Sequence, residues 1–281
     1  MKQHTLKASC SFSGKGLHTG RPVSMQVLPS SPGTGIVFQR TDLPGEPMVA
    51  AHVRNVGRTR RGTTLSSGGV RRILTPEHLL SALSCLGVDN ALVRLDAAEV
   101  PILDGSARPY AEAFIACGLE EQPEERVPLA VRRPFVYEDP RSGARIELEP
   151  FDGFEAEVTI DFKSKVIGLQ KARFDAATDF VHEIAPCRTF CFRREVFFLR
   201  LTGLIRGGSL ENALVVDEPR GYMGNPVLSF ENEPARHKLL DLLGDFSLAG
   251  RPILGRVRAY KPGHTVNTKA LALFLSENGY E

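Results

Sequence analysis

Apolar and polar positions change period along this chain, and the changes mark out its elements. Val23, Met25 and Val27 alternate with polar neighbours and Ile36-Val-Phe38 is a short apolar run, so the first segments read as strands. Residues 30–35 and 42–47, rich in Gly, Pro, Ser and Asp, are the loops beside them. The period then lengthens to that of a helix at Leu79, Ala82 and Leu83, with Thr75 as its expected N-cap, Pro76 as its first residue and Gly87 as its terminator. A strand over 91–95 and a helix over 107–117, stopped by Gly118, follow. Residues 120–126, charged and carrying Pro123, read as a linker between two complete patterns. Beyond it Ile146 and Leu148 alternate, residues 154–160 alternate cleanly, and residues 236–245 return to the helical period. A strand over 253–260, a Lys-Pro-Gly-His turn ending at His264 and a helix to about Leu275 close the chain. Both halves therefore end helix, strand, loop, helix. That order predicts an α+β fold of two similar domains, 1–122 and 127–281, with a cleft where their helices meet.

The chemistry concentrates on the helix over 236–245. Leu239, Leu240, Leu242, Leu243 and Phe246 form one apolar stripe. At about 100° per residue, His237, Asp241 and Asp245 fall on the opposite arc, with Lys238 at its edge. An imidazole and a carboxylate one turn apart can hold a divalent metal, usually zinc; the same residues also describe a solvated helix face with i, i+4 pairs. Glu77 and His78 lie in a first helical turn, where the dipole favours an ionised carboxylate and a neutral imidazole. They suit a general base beside a metal ligand, or an ordinary helix start. His264, after Gly263, is either a helix cap or a positioned acid that Asp245 keeps protonated.

Composition narrows the field. The 281 residues are 42% hydrophobic and 24% charged, with a net charge of +2, which is too small for a nucleic-acid surface. Neither a signal peptide nor a membrane span is expected, and five scattered cysteines without a C-x-x-C pair read as reduced thiols in a cytoplasmic protein. The glycines of residues 14–20 do not fit a dinucleotide fingerprint. Residues 189–201 carry four of the sixteen phenylalanines, as either a core patch or a slot for an apolar tail.

Several motifs then occur in one order: Thr75-Pro-Glu-His-Leu-Leu-Ser-Ala-Leu83, Pro101-Ile-Leu-Asp-Gly-Ser-Ala107, Arg188-Thr-Phe190, Gly207-Gly-Ser-Leu-Glu-Asn212, Arg236-His-Lys-Leu-Leu-Asp241 and Lys261-Pro-Gly-His264. Together they closely resemble the zinc-dependent UDP-3-O-acyl-N-acetylglucosamine deacetylases of lipid A biosynthesis, over nearly the whole chain. The resemblance implies two β-α-α-β sandwich domains packed through their helices, a hairpin insert near 41–49 and a second insert over about 185–212 lining an acyl-chain passage. It implies one zinc, or ferrous iron, on His78, His237 and Asp241. Glu77 would be the base and His264, oriented by Asp245, the acid; Thr189 would stabilise the oxyanion. Phe190 would meet the sugar and Lys238 and Lys261 the diphosphate, with His18 near the site. The implied partner is an acylated UDP-sugar, met by a cytoplasmic monomer that makes no stable membrane insertion and binds no nucleic acid. Pro76 and Cys191 depart from the usual pattern, and Cys191 bears on chain-length preference. A UDP-sugar binder without turnover, and a deacetylase of another N-acetylated sugar, are the rival readings.

Overall fold

The computed structural model describes residues 1–68 and 71–280. Its first half runs β1 (Lys2–Leu6), β2 (Cys10–Lys15), β3 (Pro22–Pro29), β4 (Ile36–Arg40), β5 (Met48–Ala50), β6 (Thr64–Ser66), β7 (Arg72–Leu74), α1 (Glu77–Cys85), β8 (Ala91–Leu95), α2 (Arg108–Cys117) and β9 (Leu119–Glu125). The second half runs β10 (Leu129–Ala130), β11 (Phe135–Asp139), β12 (Ala144–Glu149), β13 (Phe154–Asp161), β14 (Leu169–Phe174), β15 (Phe190–Phe192), α3 (Arg193–Leu201), β16 (Leu214–Asp217), β17 (Gly221–Tyr222), α4 (Glu233–Ser247), β18 (Ile253–Tyr260) and α5 (His264–Glu277).

Each half builds its main sheet by the same path. The strand order is β2-β3-β8-β4-β5 in the first and β11-β12-β18-β13-β14 in the second. In both, a hairpin leads, and the central strand (β8 or β18) arrives late, after a helix. That strand pairs antiparallel with one neighbour and parallel with the other. The alternation read in the sequence is the cause: β3 and β18 bury every second residue, so each sheet has one face to cover with helices. The fold is α+β, and it repeats.

Helices α1 and α4 cross at close range, and one glycine permits it. A Cβ on Gly244 would fall inside the van der Waals shell of the Glu77 carbonyl oxygen. The start of α1 therefore lies directly on the polar side of α4, turning what a lone helix would offer to water into an enclosed surface.

Several expectations change. The run read as a linker is β9, paired antiparallel with β1; only Gln122 among its residues is buried, so its acidic side chains face water while its backbone closes a ladder. Residues 41–49 span the β4–β5 connection and the start of β5 at the edge of the main sheet, and β6–β7 forms a two-stranded ribbon of its own. Between residues 190 and 222 lies a three-stranded sheet, β15-β16-β17, with α3 beside it. Thr75 does not cap α1. Its φ of 51° is outside the extended region an N-cap needs, so its hydroxyl turns to Glu99 Oε1 at 3.3 Å. Cys10 and Cys117 form a disulfide between β2 and the end of α2, against the expectation of free thiols throughout. They are 107 residues apart, a pairing that spacing could not reveal. No helix among the described residues is long and apolar enough to cross a membrane.

Candidate active site

Because α4 packs under the start of α1, its polar arc is not solvated. His237, Asp241 and Asp245 are 2%, 2% and 0% exposed, and Glu77 and His78 are 4% and 7% exposed above them. Five ionisable side chains share one buried space, so each must be paired or otherwise compensated.

His78, His237 and Asp241 bring their ligand atoms within 4.8 Å of one another. Nε2 of His78 and of His237 lie 3.6 and 3.5 Å from Asp241 Oδ1. That oxygen is buried without a hydrogen-bond partner, which ordinarily costs about 1–3 kcal/mol and asks for a cation. His237 Nδ1 is 3.0 Å from the Cys187 carbonyl oxygen. Only a donor can satisfy a carbonyl, so the proton sits on Nδ1 and Nε2 is free toward Asp241. Burial pushes His237 down to about 3, so its ring is neutral near pH 7. Burial would raise Asp241, but His237, the Lys238 ammonium and His264 hold it well below the usual carboxylate range. Two imidazoles and an ionised carboxylate are a donor set that fits one divalent metal ion with an open position.

Beside this cluster stand a carboxylate and an imidazole of the other kind. Burial raises Glu77, with the Asp245 and Asp241 charges adding to it and the two histidines opposing. His264 is raised to about 9: burial works against its charge, but Asp245, Glu77 and Asp241 outweigh it. Its Nε2 is 3.6 Å from Glu77 Oε1, and its Nδ1 is 2.9 Å from Asp245 Oδ2. Asp245 is held in turn by the Thr63 hydroxyl at 2.6 Å and by Asn267 Nδ2 at 2.9 Å. Those two bonds fix the carboxylate that fixes the imidazole.

Two cavities adjoin at the cluster. A polar one of about 320 Å³ contains Glu77, His78, His237, Asp241 and His264; an apolar one of about 760 Å³ runs under α3. Leu17, Arg61, Thr189 and Phe190 line both, so the second opens from the first. Cys191 lines the apolar cavity.

The remaining expected site residues fall into place unevenly. Thr189 sits where the cavities meet, its backbone tied to Gly105 and Leu214 at 2.8 Å each. The Phe190 ring stands edge-on to His237 with centroids 6.3 Å apart. Lys238 and Lys261 line the polar cavity, but each already meets a carboxylate: Asp241 at 2.6 Å and Asp161 at 3.2 Å. His18 stands outside the buried cluster. Its Nε2 is 3.0 Å from the Arg61 carbonyl oxygen, and it borders the apolar cavity.

Four further residues support the site without a sequence signal of their own: Thr63, Asn267, Glu99 and Glu233. Buried Glu99 accepts from the His18 and Thr19 amides and the Thr19 hydroxyl, each at 2.7 Å. Fully buried Glu233 accepts from the Arg188 amide and its side chain at 3.0 and 2.9 Å, holding the approach to Thr189. Asn267 Oδ1 also accepts from the Gly263 amide at 3.2 Å, a contact at the start of α5.

Comparison with known proteins follows this geometry. A sequence model of the UDP-3-O-acyl N-acetylglycosamine deacetylases matches residues 3–276. The bifunctional enzyme LpxC/FabZ of Porphyromonas gingivalis is 42% identical over 299 residues, covering 98% of this chain and 64% of that protein. The UDP-3-O-acyl-N-acetylglucosamine deacetylase of Saccharophagus degradans is 41% identical, with 100% of this chain and 93% of that one aligned. The same enzyme of Pseudomonas entomophila is also 41% identical, over 99% of this chain and 91% of its own. With the family model covering nearly its whole length, this chain belongs to the UDP-3-O-acyl N-acetylglycosamine deacetylase family.

Proposed function

We propose that this chain is a metal-dependent amidohydrolase that removes acetate from a UDP-3-O-[(3R)-3-hydroxyacyl]-N-acetylglucosamine in lipid A biosynthesis. The observation that carries this reading is the unpartnered Asp241 Oδ1, with His78, His237, Glu77 and His264 grouped around it. His78, His237 and Asp241 would hold the ion, with zinc the first choice for this donor set and ferrous iron acceptable to it. Bound there, the ion supplies Lewis acidity to water and to the acetamide carbonyl.

The chain's own residues do the rest. Buried Glu77, acting as its carboxylate, takes the proton of the attacking water as the new C–O bond forms. Negative charge then develops on the former carbonyl oxygen, and the Thr189 hydroxyl, at the junction of the cavities, donates to it. His264, protonated at neutral pH, donates from Nε2 to the leaving nitrogen as the C–N bond breaks, giving a neutral amine and acetic acid, which ionises to acetate on release. Asp245 keeps that proton available by accepting from Nδ1. Phe190 offers an apolar face to the sugar, and Lys238 and Lys261 offer charge to the diphosphate once they leave their carboxylate partners. The acyl chain would lie in the apolar cavity, past His18. A cytoplasmic monomer is the form in which we expect the protein to act.

The test compares acetate release from the acylated UDP-sugar with release from the unacylated one, in wild type and in the Glu77→Ala and His264→Ala variants. The reading requires a strong preference for the acylated sugar and a loss of about 10²–10⁴ in each variant. Turnover that survives both substitutions in metal-loaded protein defeats it.

A further inference from the structure

Helix α3 leaves its apolar side in water. Leu199 is 3% exposed, but Phe197, Phe198 and Leu201 are 79%, 56% and 72% exposed. At helical spacing these three lie within one turn of each other, forming a contiguous outward crest. Phe197 and Leu201 also line the apolar cavity, so the crest stands at its opening.

The charge around this crest is predominantly positive. Arg194 and Arg200 are exposed on α3 itself, and Arg61 reaches over to Glu195 of α3 at 2.5 Å. Arg58, Arg60 and Arg72 line a further cavity of about 420 Å³ together with Thr202 and Leu204, just past α3. Residues 54–72 hold six arginines and no acid, and residues 193–206 hold four arginines and one glutamate. These two neighbouring segments therefore carry a formal +9 in a chain whose total is +2. Among the described residues, Arg58, Arg60 and Arg200 have no carboxylate partner.

We propose that this face docks reversibly on an anionic phospholipid bilayer. Phe197, Phe198 and Leu201 enter the headgroup boundary while the surrounding arginines meet lipid phosphates, the combination that holds an amphipathic surface helix at an interface. Charge complementarity selects this occupant, because a second copy docked on the same face would set like charge against like. Docking places the mouth of the apolar cavity at the acyl layer. Only that last consequence rests on the function proposed above, since vesicle binding needs no turnover.

The experiment is co-sedimentation of the full chain with vesicles of equimolar phosphatidylcholine and phosphatidylglycerol, and with phosphatidylcholine alone, at low and high salt. Binding is expected to the anionic vesicles only and to weaken with salt. Replacing Arg58→Gln and Arg60→Gln together should weaken partition roughly 30-fold, at the usual contribution of each arginine near an anionic surface. Phe198→Ser should weaken it roughly tenfold. Both variants should keep wild-type acetate release from dispersed substrate, which also shows that they fold. The proposal is overturned if neither vesicle binds, if both bind equally, or if the variants bind as wild type does. It is overturned equally if Phe198→Ser abolishes self-association in sedimentation velocity while vesicles never bind.

Discussion

Gly244→Ala isolates the packing that makes the site. The added Cβ overlaps the Glu77 carbonyl oxygen, which is backbone and cannot swing aside. Overpacking of this kind costs about 1–3 kcal/mol, while alanine regains about 1 kcal/mol of helix propensity over glycine. Net destabilisation is therefore about 0–2 kcal/mol, a fall in Tm of no more than roughly 8 °C for a chain of this size. Activity should fall much further. To relieve the overlap α1 and α4 must part by on the order of 1 Å, and a misplacement of that size costs about 10²-fold in rate. Glu77 and His78 ride on one helix and Asp241 and Asp245 on the other, so both the ligand set and the acid–base pair loosen together. The assay is kcat/KM for acetate release beside a thermal melt of the same preparation. A variant with unchanged kcat/KM, or one whose activity loss only mirrors its unfolded fraction, would refute the claim that this crossing sets the catalytic geometry.

Other perturbations address other parts. His264 donates only when protonated, so activity falls as pH rises through its pKa; the Asp245 charge supports the raised value of about 9, and a bound cation nearby lowers it. Asp245→Asn should move the alkaline limb of the kcat profile to lower pH, and an unmoved limb counts against the pairing. Glu77 must be ionised to act, and burial places its acid limb above the ordinary carboxylate range; Glu77→Gln should lose that limb along with most of the rate. Glu99→Gln replaces one of two oxygens that each accept a backbone amide, leaving one amide unpaired at about 1–3 kcal/mol, and should raise KM for the acylated sugar more than it lowers kcat, because the His18 loop borders the apolar cavity. Metal loading at a thousandfold excess over Kd should add about 4 kcal/mol of stability, so a chelator that leaves Tm unchanged argues against a folded-state metal site.

Period alone gave β8 and β18 their bounds, because each is a strand with a consistent two-residue alternation between a buried and a wetter face. It also placed His237, Asp241 and Asp245 on one arc of α4. What it could not give was their burial, which depends on α1 arriving over Gly244 from more than 150 residues away. The strand β9 was hidden because most of its side chains are exposed, so no apolar alternation marks it. Thr75 looked like a cap because its residue type and the following proline fit one; the positive φ that sends its hydroxyl to Glu99 is a tertiary effect. Glu99 and Glu233 escaped notice since a lone glutamate in a sequence is usually at the surface, and only the converging amides show why these two are not. The pairing of Asp245 with His264 was legible, while Thr63 and Asn267, which hold that pair, were not.

The most direct test of the account is acetate release from the acylated UDP-sugar by the protein as purified, after chelation, and after zinc is restored. The account predicts activity that disappears with the metal and returns with it. Folded, zinc-loaded protein that binds the sugar yet releases no acetate would contradict it and leave a binding protein in its place.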